Sequence, residues 1–193
     1  DGLGLTGADH SIIDHSSISW TIDEAFSSRG AHNITLQRTL ISEALNEAGH
    51  ANYEEGKRHG FAASIGGDVG SFHHNLLAHC AGRNWSLAGG LDKAGIHAGR
   101  LDIRNNVVYN VEWTAYFQHK GMDNVFRNNI GAFARDGLLH RGALNDRWKA
   151  NYLEACRNIY VADNNIALRK SWAPGEKPPV LHHNMYTTIA PDT

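Results

Sequence analysis

Cysteine is scarce in this chain. Only Cys80 and Cys156 occur among 193 residues, so no disulfide framework can carry the fold. A pair of buried thiols asks least of them, with a single bridge as the alternative. A surplus of positive charge is also missing. Lys and Arg number 18 against 20 Asp and Glu, a net charge of -2, which argues against nucleic acid as a partner. An acidic polymer would need a local basic site or a bridging metal. No run is long and apolar enough to cross a membrane. No leader segment is visible, and the first residue is Asp1 rather than Met, which fits a processed or shortened chain. The 13 histidines fall in no zinc spacing such as HExxH. What remains is an ordinary folded composition, 41% hydrophobic and 20% charged, long enough for one sizeable core.

What is present is a repeat. An apolar residue, a polar pair often containing Asn, and a second apolar run recur as IIDHSSIS, TLQRTLIS, SFHHNLLA, DIRNNVVY, VFRNNIGA, VADNNIAL and VLHHNMYT. Aligning the polar residue before each second run gives Ser17, Thr39, Asn75, Asn106, Asn129, Asn165 and Asn184, spaced by 22, 36, 31, 23, 36 and 19 residues. The short spacings suit one coil of a parallel β-helix, and the longer ones a coil plus a loop. Such coils bury their apolar faces only by stacking. An inward Asn at one corner can then bond the Asn or the backbone of the next coil. These features predict an all-β, right-handed parallel β-helix of about seven coils, residues 1–193 forming a single domain. One helix is expected over Asn145 to Ala155. No polar cap precedes the first strand-like run, so upstream coils are expected to be absent, or supplied by a partner chain at that edge.

Over roughly residues 1–112 the chain resembles the pectate lyase superfamily of polysaccharide lyases. The likeness rests on IIDHSSISWTIDE (Ile12 to Glu24), HGFAASIGG (His59 to Gly67), FHHNLLAHCAGRN (Phe72 to Asn84) and RLDIRNNVVYN (Arg100 to Asn110). It implies calcium-assisted β-elimination of a polyuronate such as pectate. Arg83 then stands as the base at C5 and His59 as a second basic group. Asp1 and Asp23 are the implied calcium ligands, with Glu24 in reserve, and Asp14 is a structural neighbour. Arg is an awkward base because free guanidinium holds its proton above about pH 12, so on proton affinity alone His59 is easier. Two departures stand out. A second Arg expected a few residues after Arg83 is missing, leaving Lys93 or Arg100 to bind the substrate carboxylate. Ser27 stands where an acidic ligand is common. Trp85 offers a sugar-stacking face or fills the core. The loop from Glu54 to His59 is a solvated insertion or the rim of a groove. The recurrence of HHN at His182–Asn184 assigns His73 and His74 to structure.

From about Trp113 the likeness fades. FQHKGMDNVFRNNIGAFARDGLLHRG (Phe117 to Gly142) resembles other right-handed β-helix proteins, some of them glycoside-hydrolase-like. The alternatives are therefore a glycoside hydrolase or a non-catalytic, truncated scaffold. A hydrolase needs two facing carboxylates. Asp123, Asp136 and Asp146 are the candidates, with His119, His140 and Arg141 near them. The implied setting is secreted or cell-surface, with an acidic polysaccharide as the partner.

Overall fold

The computed structural model describes residues 2–89, 100–112, 117–120, 124–134, 140–141, 153–156, 159–162, 180–182 and 185–188. Every strand pairing in them is parallel. The first sheet takes β1 (Leu3–Gly4), β4 (Glu24–Ser27), β7 (Phe61–Gly66), β10 (Ser86–Gly89), β13 (Phe117–Lys120) and β16 (His140–Arg141), in that order. The second takes β2 (Asp9–Asp14), β5 (His32–Gln37), β8 (Asp68–His73), β11 (Leu101–Arg104), β14 (Asn124–Arg127), β17 (Leu153–Cys156) and β19 (Val180–His182). The third takes β3 (Ser17–Ser19), β6 (Leu40–Ser42), β9 (Leu76–Ala78), β12 (Val107–Val111), β15 (Ile130–Ala134), β18 (Ile159–Ala162) and β20 (Met185–Thr188). Through β18 the chain visits the three sheets in strict rotation, consistent with a parallel β-helix.

The strands form because alternate residues are apolar and point inward. In the second sheet Leu36 pairs with Phe72, Phe72 with Ile103, and Ile103 with Phe126, so one inward position runs as a column through the stack. Phe72 also meets Phe26 edge-on at 6.4 Å and Trp85 at 5.8 Å. These rings, with Ile41, Ile65, Leu77 and Leu87, form one buried core. Gly67 has φ +84, and a Cβ there would lie 1.9 Å from the Ala31 carbonyl oxygen, so that bend requires glycine. Cys80 is buried and free, and burial pushes its thiol up to about 11.

The corner between the second and third sheets explains the Asn repeat. His15, Arg38, His74, Asn105 and Asn128 all lie in the left-handed region there, with φ from 46 to 56. Each turns the chain so that the next residue points inward. Asn106 Oδ1 accepts from the Asn75 backbone N–H at 2.9 Å and from Asn75 Nδ2 at 3.0 Å, and Asn106 Nδ2 donates to the Phe72 carbonyl at 2.9 Å. Asn129 repeats this beneath Asn106, and Asn75 beneath Thr39. The buried amides are thereby satisfied from coil to coil.

Three expectations need correction. Ser17 pairs with Leu40, so Ser16, not Ser17, stands opposite Thr39. Ile159 pairs with Ile130 and with Met185, so Val161 and Ala162 of the VADNNIAL motif belong to a third-sheet strand, while Asn165 and Asn184 lie outside the described residues. The second-sheet strand of that coil is β17, where the small Ala155 stands in register with Phe126 and breaks the bulky apolar pattern. The helix expected over Asn145 to Ala155 does not reach its end, because Leu153–Cys156 is strand paired with β14, and 142–152 lies outside the described residues.

Candidate active-site cleft

A cleft of about 560 Å³ opens beside the first sheet. Asp23 and Glu24 come from the start of β4, Ser27 and Arg29 from its end, Arg83 from the turn before β10, and Tyr53 from the loop joining β6 to β7. Asp23, at φ 63, and Arg83, at φ 54, each occupy the left-handed bend that leads into a first-sheet strand. These matching bends bring residues 60 apart in sequence to the same wall.

Glu24 organises the cleft. Its side chain is only 3% exposed, and its Oε1 receives Arg29 Nη2, Arg83 Nη1 and the Ser64 hydroxyl, the last at 2.9 Å. A buried carboxylate without partners would cost several kcal/mol, roughly, so this pairing is what allows Glu24 to be there. Arg83 lies with its guanidinium 3.9 Å from the Phe61 ring centroid, a cation–π contact that fixes its plane. Arg83 is 29% exposed and Arg29 49%, so both reach solvent through the cleft.

The opposite wall is aromatic. Tyr53 stacks on His59 at 4.7 Å and 17°, with His50 tilted against both rings. Its hydroxyl donates to Asp23 Oδ1 at 3.2 Å. Burial, and then the negative charge of Asp23, hold the Tyr53 phenol above its usual range, so it stays a hydroxyl donor.

Other expected residues fall elsewhere. His59 is wholly buried behind Tyr53, its Nε2 2.7 Å from the Ala48 carbonyl oxygen, and it does not line the cleft. A base must reach the substrate, and in this placement Tyr53 stands between His59 and the cleft. Trp85 is 0% exposed and packed on Phe72, so it fills the core and offers no face to a sugar. Arg100 forms a two-pronged ion pair with Asp68 at 2.9 and 2.6 Å, outside the cleft lining. Asp14 is on the outer face of β2 against His15. His73 and His74 stack edge to face at 5.0 Å beside the Asn corner, away from the cleft. Asp1, Lys93, Asp123, Asp136 and Asp146 lie outside the described residues, as do the side chains of His119, His140 and Arg141.

Calcium takes six to eight oxygen ligands, so the cleft can be tested for it. Among the described residues no group of three His, Cys, Asp or Glu side chains is close enough to hold a metal. Glu24, the reserve ligand, is taken by two guanidinium groups and a hydroxyl. Asp23 already accepts from Tyr53. The described residues therefore do not make a calcium site, because Asp23 and Glu24 are two carboxylates where several oxygen ligands are needed, and Glu24 Oε1 already serves two guanidinium groups.

Sequence reasoning missed Arg29 and Tyr53. Arg29 lies five residues beyond Glu24 on the far side of a four-residue strand, and Tyr53 immediately precedes the charged stretch read as insertion or rim.

The chain is 29% identical over 165 residues to a protein named probable pectate lyase C from Aspergillus fumigatus, covering 83% of this chain and 34% of that relative. A protein of the same name from Neosartorya fischeri is 32% identical over 112 residues, and one from Aspergillus terreus 34% over 111, each match covering 57% of this chain and 22% of the relative. The likeness supports a pectate-lyase-like family and no finer assignment. The chain spans at most about a third of the length of these curated relatives. No family model matches it. No solved structure matches it either. No helix among the described residues is long and apolar enough to cross a membrane.

Proposed function

We propose that this chain carries the site of a polysaccharide lyase that cleaves a polyuronate such as pectate by β-elimination. It would do so on a right-handed β-helix of about seven coils, at or outside the cell surface. The observation that carries the reading is the Glu24-anchored Arg83 in an open, polar cleft, on a chain similar to proteins named pectate lyase. In this reaction the proton leaves C5, its electron pair forms the C4–C5 double bond, and the C4–O bond breaks. The departing oxygen keeps the electrons of the broken C4–O bond and takes a proton from water, and the proton taken from C5 passes to the hydroxide left behind. Arg83 is the group that receives the C5 proton or steadies the charge that develops there. Phe61 and Glu24 hold Arg83 in one orientation, which supplies the positioning that proton transfer needs. No step is routed through calcium, because the described residues do not fit it. The test is ultraviolet absorbance of the unsaturated product from polygalacturonate, for the parent and for Arg83→Ala. Absorbance from the parent that vanishes in the variant supports the reading. A folded parent that yields none overturns it.

A further inference from the structure

The cleft holds a cation that the expected chemistry did not assign. We propose that Arg29 is the carboxylate-binding residue of this site, taking the uronate carboxylate directly, without a bridging divalent cation. The inference deepens the lyase reading and rests on it for the reaction, although the binding it describes can be measured alone.

The argument begins with charge. Glu24 carries one negative charge and meets two guanidinium groups on a single oxygen. One positive charge is left without a counter-charge inside this trio, and both guanidinium groups are part-exposed in the cleft lining. Asp23 lines the same cleft, where it accepts from the Tyr53 hydroxyl. Of the trio, Arg29 is the more exposed cation. Its hydrogen bond among the described residues is the one to Glu24, and a guanidinium has five N–H donors. The rest form a planar fork whose best partner is a second carboxylate.

A divalent cation is the wrong partner for the same reason. It would enter beside two guanidinium groups and find Glu24 and Asp23 already accepting hydrogen bonds. A uronate carboxylate brings the charge the trio lacks. Its carbon, C6, is bonded to C5. A carboxylate gripped by Arg29 therefore brings C5 toward Arg83, which hangs on the same Glu24 oxygen. Glu24 thus sets the spacing between the group that holds the substrate and the group that acts on it.

The measurement is titration calorimetry of the chain with trigalacturonate, first with a chelator and then with added calcium. Arg29→Gln and Arg29→Lys are titrated alongside, and circular dichroism verifies that each is folded. The parent should bind in chelator with little change on adding calcium. Arg29→Gln should bind about 10- to 100-fold more weakly, as expected for losing a charged hydrogen-bonded pair, with Arg29→Lys between. The methyl ester of the same trisaccharide should bind the parent about as weakly as the free acid binds Arg29→Gln, an arm that needs no variant. Binding by the parent only when calcium is present overturns the proposal. So does an Arg29→Gln affinity equal to the parent's, an ester bound as tightly as the acid, or no binding in either buffer. If the acid binds as expected but no unsaturated product forms, the carboxylate site stands and the lyase reading alone falls.

Discussion

Two polar corners of the same coils follow opposite rules. At the corner between the second and third sheets, Asn75, Asn106 and Asn129 are neutral, almost wholly buried, and bonded from one coil to the next. At the cleft, Glu24, Arg29 and Arg83 are ionised, and two of the three reach solvent. The Asn column satisfies each amide inside the protein, so it can only stabilise. The cleft satisfies its buried anion with two guanidinium groups that remain part-exposed in its lining. A polar group whose partners all lie within the fold belongs to architecture, whereas donors held in place without partners are available to a ligand.

The sharpest way to break this contrast is to remove one member from each corner. Arg83→Ala should lower turnover of polygalacturonate by about 10³-fold, close to 4 kcal/mol of barrier, while the folded state persists because Arg29 and Ser64 still meet Glu24. Product absorbance and thermal unfolding together read both halves of that statement. Asn106→Leu should do the reverse. It strands the Asn75 amide groups and the Phe72 carbonyl, costing about 3 kcal/mol in denaturant unfolding and leaving activity per folded molecule unchanged. A stable Asn106→Leu with no activity would erase the distinction.

The same contrast explains what was legible in the sequence. A column that repeats once per coil imprints itself on the chain, so Asn75, Asn106 and Asn129 could be aligned by eye, and the parallel all-β architecture followed. The alignment slipped where the imprint is faint. Ser16 and Ser17 are the same residue type, and Ala155, in register with Phe126, is too small to look like the other members of that column. The cleft does not repeat. Asp23, Glu24 and Arg83 were singled out through a family resemblance, and the structure brings them to one wall. Arg29 and Tyr53 depend on how a turn and the loop before β7 double back. In the loop, Tyr53 stacks on His59, a contact across six residues that no local pattern announces. His59, which the family resemblance implies as a second basic group, is covered by the same packing.

Tyr53→Phe sharpens the comparison at smaller amplitude. It removes the hydroxyl that Asp23 accepts and leaves the stack on His59. A part-buried neutral-to-charged hydrogen bond contributes about 1 kcal/mol, so unfolding in denaturant should shift by that much. If Tyr53 is a wall and not a reacting group, turnover should change by less than about tenfold. A loss as large as that of Arg83→Ala would move Tyr53 from the wall to the chemistry.

The smallest effect tests whether an ion pair outside both corners resembles either. The hydrogen bond from Arg100 is the main cause holding the Asp68 carboxyl below its ordinary value of 3.8, against the burial that raises it. A depressed carboxylate contributes stability above its unfolded value and loses it as pH falls through the folded one. The stability gap between parent and Asp68→Asn should therefore be present at neutral pH and close only below about pH 4. Arg100 is 60% exposed, so the gap should be under about 1 kcal/mol and shrink in high salt. A gap that survives acid would mean that Asp68 is held by something other than its charge, as the Asn column is. A gap that closes on schedule places it with ordinary surface pairs, and leaves Glu24 as the carboxylate whose burial obliges two cations to face the cleft.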